Sequence, residues 1–248
     1  MASTGGLKRN RPLAPADIAL TLGRAAERCR FAPPVHHVYN PLNYAIEAHR
    51  QYLERFCRRE AEILLIGMNP GPFGMVQTGV PFGEVSSVRD WLGITDGVAP
   101  PVDQHPKRPV EGFACSRSEV SGQRLWGWAR KRFRYPDAFF QRFFVWNYCP
   151  LAFLEASGRN RTPNRLPQRE RVPLYEACDR GLADIAHFLK PDLILGIGRY
   201  GEGRAQAVLG NTVQIGHILH PSPASPAANR GWEVQVERQL ADLGVELP

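Results

Sequence analysis

The chain of 248 residues has no Cys-x-x-Cys pair: its five cysteines, Cys29, Cys57, Cys115, Cys149 and Cys178, are odd in number and widely scattered. That spacing suits neither a zinc site, nor a disulfide framework, nor an iron–sulfur cluster, so buried thiols with no metal and no cofactor are expected. Long apolar runs are also missing. None approaches the roughly 20 residues of a membrane helix, and no leader pattern of charge, apolar core and small-residue cleavage site opens the chain. An intracellular protein without a membrane partner is the expectation. There is no internal repeat, and no Gly-Lys-Ser/Thr follows the glycine-rich stretch, which argues against a P-loop. Acidic residues are outnumbered, with 31 Lys plus Arg against 24 Asp plus Glu, a formal charge of +7. Such a balance is compatible with a polyanionic partner such as nucleic acid.

What is present reads as α/β. Hydrophobic residues make up 43% and aromatics 10% of the chain, within the range of globular domains. Residues 1–16, polar and carrying Lys8–Arg9–Asn10–Arg11, read as a flexible arm, and 17–248 as a single domain. A helix capped by Asp17 is predicted to about Arg30, and a second from Pro41 with Ala45, Ala48, Tyr52 and Phe56 as its apolar stripe. Strands are predicted over 62–67, 143–147, 192–197 and 212–215, and helices over 84–93, 173–189, 199–209 and from Trp232 onward, with a further amphipathic helix after SEVSG (118–122) that carries Leu125, Trp126, Trp128 and Phe133. The proline-bearing segment 95–118 reads as a surface excursion, and 157–171, with five arginines and one glutamate, as a loop that is either solvated or phosphate-contacting. Strands alternating with helices predict a three-layer α/β/α sandwich around a short, mostly parallel four-stranded sheet.

The densest signal is GMNPGPFGMVQTGVPFGEV, residues 67–85, which packs five glycines and three prolines behind the apolar run Ile63–Ile66. Glycines let backbone approach a ligand, prolines fix the loop's course, and open α/β sheets hold ligands at the carboxyl ends of their strands. Two further strands end in Trp146–Asn147 and in HPSPASPAANRGW, residues 220–232, so Asn69, Asn147 and His220 can share one crevice. Each has a plainer alternative taken singly. A strand-end histidine can be a structural hydrogen-bonder, Asn147 the start of a turn, and Phe82 core.

Together the two loops resemble the signature motifs of the uracil-DNA glycosylase superfamily, and in detail those of the single-strand-selective monofunctional uracil-DNA glycosylase family. HPKRP at 105–109, SEVSG at 118–122, WNYCPLAFL at 146–154 and SGRN at 157–160 match that family's intervening segments, so the likeness runs from about Tyr39 to the C-terminus. The resemblance implies a DNA-repair enzyme that flips uracil, or an oxidised uracil such as 5-hydroxymethyluracil, out of single- or double-stranded DNA. It would hydrolyse the N-glycosidic bond without cutting the strand. By the same resemblance Asn69 and His220 are the catalytic pair. Met68 would offer its backbone N–H, Gly71 and Met75 would accommodate the C5 edge, Phe82 would stack on the base, and Asn147 would read its polar edge. Ser157, Gly158, Arg159, Asn160 and Arg161, with Ser222, Pro223, Ala224 and Ser225, would contact DNA. Ala224 departs from the arginine expected of vertebrate members, which implies weaker duplex penetration or compensation by Arg159 or Arg161. No lysine lies in either motif loop, which argues for hydrolysis over a Schiff base. Two other readings stay open: the same fold acting on xanthine or hypoxanthine, and a non-catalytic DNA-binding module. The alanine- and arginine-rich composition, without a clear nuclear signal, leads to the expectation of a bacterial protein of the cytoplasm or nucleoid, monomeric by default.

Overall fold

A computed structural model describes residues 13–59 and 61–248. Its centre is a four-stranded, wholly parallel sheet, in agreement with the sequence reading. The strands are β2 (Ile63–Gly67), β3 (Phe143–Asn147), β6 (Leu193–Ile197) and β7 (Gln214–Ile218), in the order β3-β2-β6-β7. β2, β3 and β6 are buried along their whole length, which is why they appear as unbroken apolar runs. β7 lies at the edge and is only partly buried.

Around the sheet stand helices α1 (Pro15–Glu27), α2 (Pro41–Tyr44), α3 (Ile46–Phe56), α4 (Met75–Thr78) and α5 (Val120–Phe133). They are followed by α6 (Pro136–Phe140), α7 (Gln168–Leu189), α8 (Arg199–Leu209), α9 (Pro226–Asn229) and α10 (Trp232–Asp242). Successive β3 side chains show the layering. Phe143 packs on Trp128 of α5 and Phe139 of α6, whereas Phe144 stacks on Tyr52 of α3 with ring centroids 5.3 Å apart.

Several local expectations are corrected. Helix α1 begins at Pro15 behind Ala14, without Asp17 as its cap, and so takes in the last two residues of the expected arm. Residues 1–12 of that arm lie outside the described residues. The single helix expected from Pro41 is broken at Ala45. Helix 84–93 is a short π-helical turn over Ser87–Trp91. α7 starts five residues before Pro173 and carries that proline inside it.

A second, three-stranded antiparallel sheet was not expected. It orders β1 (Val35–Tyr39), β4 (Ala152–Glu155) and β5 (Asn160–Arg161) as β1-β4-β5. β5 is only two residues long, and the sequence of β1, VHHVY, lacks a clear alternation. The segment 95–118 is not merely a surface excursion: His105, Val110 and Cys115 are buried, and the Tyr39 hydroxyl donates to the Arg108 carbonyl at 2.7 Å while accepting from the His105 N–H at 2.8 Å. Tertiary pairing organises both regions. No helix among the described residues is long and apolar enough to cross a membrane.

Candidate active site

The chain leaves β2 for β3 on one side and β6 for β7 on the other, so the connections diverge between the neighbouring strands β2 and β6. Such a switch point opens a crevice at the carboxyl ends. A cavity of about 420 Å³ lies there, lined by Met68, Asn69, Gly71, Phe82, Asn147, Asn160, His220 and Ser222, with Pro72, Glu119, Ser121 and Thr162. Three strand ends thus meet as expected, and the β4–β5 hairpin, which was not expected, joins them through Asn160. A larger groove of about 820 Å³ beside β1 carries Glu27, Glu47 and Asp103, an acidic lining that suits a phosphate backbone poorly.

Gly67, opposite Asn147 in the parallel register, is the floor of the site. A Cβ there would come within 2.2 Å of Asn147 Oδ1 and 2.6 Å of the Phe82 ring, so the missing side chain lets both groups close over the strand end. Phe82 has a left-handed backbone, φ 52°, uncommon for a residue with a side chain. Its carbonyl holds that turn by accepting from the Glu84 N–H at 2.7 Å and from Trp126 Nε1 at 2.9 Å.

The polar groups are aimed, not merely present. Asn147 is buried; its Nδ2 donates to Met75 Sδ at 3.2 Å, and its Oδ1 is buried without a hydrogen-bond donor among the described residues. A buried acceptor left bare costs free energy that a ligand N–H would recover. Asn69 Nδ2 donates to the Leu151 carbonyl at 3.1 Å, which leaves Oδ1 as the acceptor of that amide. His220 Nδ1 accepts from the Ser222 N–H at 3.1 Å, so the ring proton sits on Nε2. Burial lowers the His220 pKa from its ordinary 6.5 to about 4, leaving a neutral imidazole that donates through Nε2. The Phe82 and His220 rings are 6.0 Å apart. Arg124 ties the histidine loop to α5 by donating to the carbonyls of Pro221 at 3.1 Å and Ser222 at 3.4 Å, and to Asn229 Oδ1 at 2.8 Å.

Met75 stands behind Asn147 and does not line the cavity. The proposed DNA contacts divide. Asn160 and Ser222 line the cavity, whereas Ser157 and Arg159 are exposed at the hairpin tip, where Gly158 (φ 81°) makes the turn. Arg161 is engaged with Glu155 at 3.2 Å and with the Arg165 carbonyl at 2.9 Å, so it is poorly placed to compensate for Ala224. Pro223 and Ala224 are exposed, and Ser225 caps α9 through the Ala228 N–H.

Glu119 was missed among the site residues. It caps α5, accepting from the Gly122 N–H at 2.7 Å, and its carboxyl lies near Gly71 and Gly74, where burial raises its pKa. An acidic residue before an amphipathic helix signals a cap; only the fold turns that cap into the cavity. Among the described residues no group of three or more His, Cys, Asp or Glu is placed to hold a metal ion.

An open parallel sheet with a rigid Gly/Pro loop, a bare amide acceptor and a neutral histidine donor at its carboxyl end defines a site for a flat, polar-edged ring. The family model of the uracil DNA glycosylase superfamily matches residues 53–241, and the chain belongs to that superfamily. Within it the chain is 49% identical over 229 residues to the single-strand selective monofunctional uracil-DNA glycosylase of Rattus norvegicus, covering 91% of this chain and 82% of that protein. Its counterparts in Mus musculus and Bos taurus are each 48% identical over the same length. The chain is therefore a member of the single-strand-selective monofunctional uracil-DNA glycosylase family. In fold it is similar to the crystal structure of wild-type Pedobacter heparinus SMUG2, with a TM-score of 0.65 at 16% identity over 92% of this chain and 97% of that one. The expectation of a bacterial cytoplasmic or nucleoid protein is overturned, because the relatives near half identity are mammalian. Overall alanine and arginine content carries no such address.

Proposed function

We infer that this protein is a monofunctional uracil-DNA glycosylase that hydrolyses the N-glycosidic bond of a flipped uracil and so begins base excision repair. The observation that carries the assignment of the base is the unpartnered Asn147 Oδ1 beside Phe82. A uracil stacked on Phe82 offers its N3–H to that oxygen and its O4 to Nδ2. Cytosine offers acceptor against acceptor at N3 and donor against donor at C4, leaving buried polar groups unpaired, a strong basis for rejection. Hypoxanthine and xanthine offer the same donor and acceptor at N1–H and O6, so Asn147 excludes cytosine but does not separate these purines from uracil, and base release decides between them.

In the reaction the C1′–N1 bond breaks with its electron pair on the base, a water oxygen bonds to C1′, and the water's proton is lost to solvent. Negative charge gathers on uracil O2, where His220 Nε2–H donates a hydrogen bond, with the Met68 backbone N–H as a second donor. One such preorganised donor is worth about 3–4 kcal/mol. A neutral imidazole suits this role: it stabilises the anion without carrying a charge into the empty site. Asn69 Oδ1 holds the water in line, which is positioning more than base catalysis. Gly71, without a side chain, leaves room at the C5 edge for oxidised uracils such as 5-hydroxymethyluracil. Single strands are the better substrate, since exposed Ala224 supplies neither bulk nor charge to wedge a duplex.

The test is base release from oligonucleotides bearing uracil, xanthine or hypoxanthine, comparing wild type with Asn69→Ala and His220→Ala. Uracil release that collapses in both variants is expected. Release of xanthine but not uracil would refute the assignment of uracil as the base.

A further inference from the structure

Eight arginines among the described residues pair with carboxylates, among them Arg50, Arg58, Arg132, Arg142 and Arg204. Arg108 and Arg117 are ordered differently. Their guanidinium carbons lie 5.3 and 4.1 Å from the centroid of one ring, Phe73, and among the described residues neither has a carboxylate within ion-pair distance. Stacking on an aromatic ring orders a guanidinium without neutralising it and leaves its in-plane N–H donors for a planar acceptor. Arg108 spends one of these on the Lys107 carbonyl at 2.7 Å.

The position is as informative as the chemistry. Phe73 follows Pro72, and Arg117 precedes Glu119 by two residues; Pro72 and Glu119 both line the cavity. A Cβ on Gly158 would lie 3.2 Å from Lys107 Cβ and 3.4 Å from Arg108 Cζ, so Lys107 and Arg108 abut the hairpin that delivers Asn160. Arg159 on that hairpin is exposed and likewise without an ion pair among the described residues. One side of the cavity is thus flanked by fixed, unneutralised positive charge.

We propose that Arg108 and Arg117, stacked on Phe73, form a phosphate-binding strip that holds the DNA strand flanking the flipped nucleotide. This rests on the uracil-DNA glycosylase reading above. The strip explains how the enzyme grips a flexible strand although Ala224 offers no charge. Phosphate contacts add affinity independent of sequence and release counterions, so their loss shows in the salt dependence.

The experiment compares wild type with an Arg108→Ala/Arg117→Ala variant on a long single-stranded uracil oligonucleotide across a salt series, and on a trinucleotide with uracil at its centre. Two lost contacts should raise KM on the long substrate about tenfold and make the slope of log KM against log salt shallower by about 1.4. kcat and the rate on the trinucleotide should be unchanged. An unaltered slope and KM would overturn the strip while wild-type release leaves the reading of the cavity intact. Equal losses on both substrates would also overturn it, placing the arginines' effect in the cavity. A wild type that releases no uracil from either would sink the glycosylase reading itself.

Discussion

Replacing Gly67 by alanine separates the geometry of the site from its chemistry, because no reacting group is removed. Gly67 lies in regular strand β2, so alanine brings a Cβ without a backbone penalty of its own. That Cβ would stand 2.2 Å from Asn147 Oδ1, where ordinary contact begins at 3.4 Å, so the amide must retreat by about 1.2 Å. The Phe82 ring, at 2.6 Å, must retreat by about 0.8 Å on the same scale. Neither moves cheaply: Asn147 is buried against Met75, and the Phe82 backbone is held by Glu84 and Trp126. Overpacking of this kind costs about 1–3 kcal/mol of stability, and each kcal/mol lowers Tm by about 2–4 °C at this chain length. The catalytic cost is larger, since a displacement near 1 Å at the reacting geometry costs about a hundredfold in rate. Single-turnover uracil release beside a thermal melt measures both. A folded Gly67→Ala protein that releases uracil at the wild-type rate would refute the argument that Asn147 and Phe82 hold the base from these positions.

The histidines make a prediction about acid. His220 and the fully buried His49 both have pKa values lowered by burial from 6.5 to about 4, so the unfolded chain takes up protons that the folded chain refuses as pH falls through that window. Stability is therefore intact above pH 6.5 and declines toward pH 4, by at most about 3 kcal/mol for each histidine; denaturant midpoints across this range check the loss. NMR titration of the His220 ring checks the residue itself, and a midpoint near 6.5 would contradict its burial as a neutral donor. Arg124→Ala removes the guanidinium that holds the Pro221 and Ser222 carbonyls. It should lower kcat about tenfold or more through His220 with little change in KM, and Arg124→Lys should restore part of the loss; a fall in KM-controlled binding alone would count against the positioning role.

The sequence alone determined much of the site because its chemistry sits on loops whose composition is unusual for a physical reason. Gly67, Gly71 and Pro70 specify a close, rigid backbone turn, and three apolar runs buried on both faces announce parallel strands whose carboxyl ends converge. Asn69, Asn147 and His220 could be placed together on that ground, and the structure places them together. The family likeness was likewise legible, since it lies in contiguous motifs. What only the tertiary structure decided depends on groups distant in the chain. The second sheet exists because two residues at 160–161 find β4 and β4 finds β1, pairings too short to leave a periodic trace. Glu119 reads locally as a helix cap and becomes a cavity wall only when α5 docks beside Gly71 and Gly74. The His220 tautomer follows from the Ser222 N–H on Nδ1, and its neutrality from desolvation, neither of which has a sequence signature. Arg108, Arg117 and Phe73 are three unremarkable residues until folding stacks two charges on one ring. Local composition specifies where the backbone turns; which side chains then share a desolvated space is decided by packing.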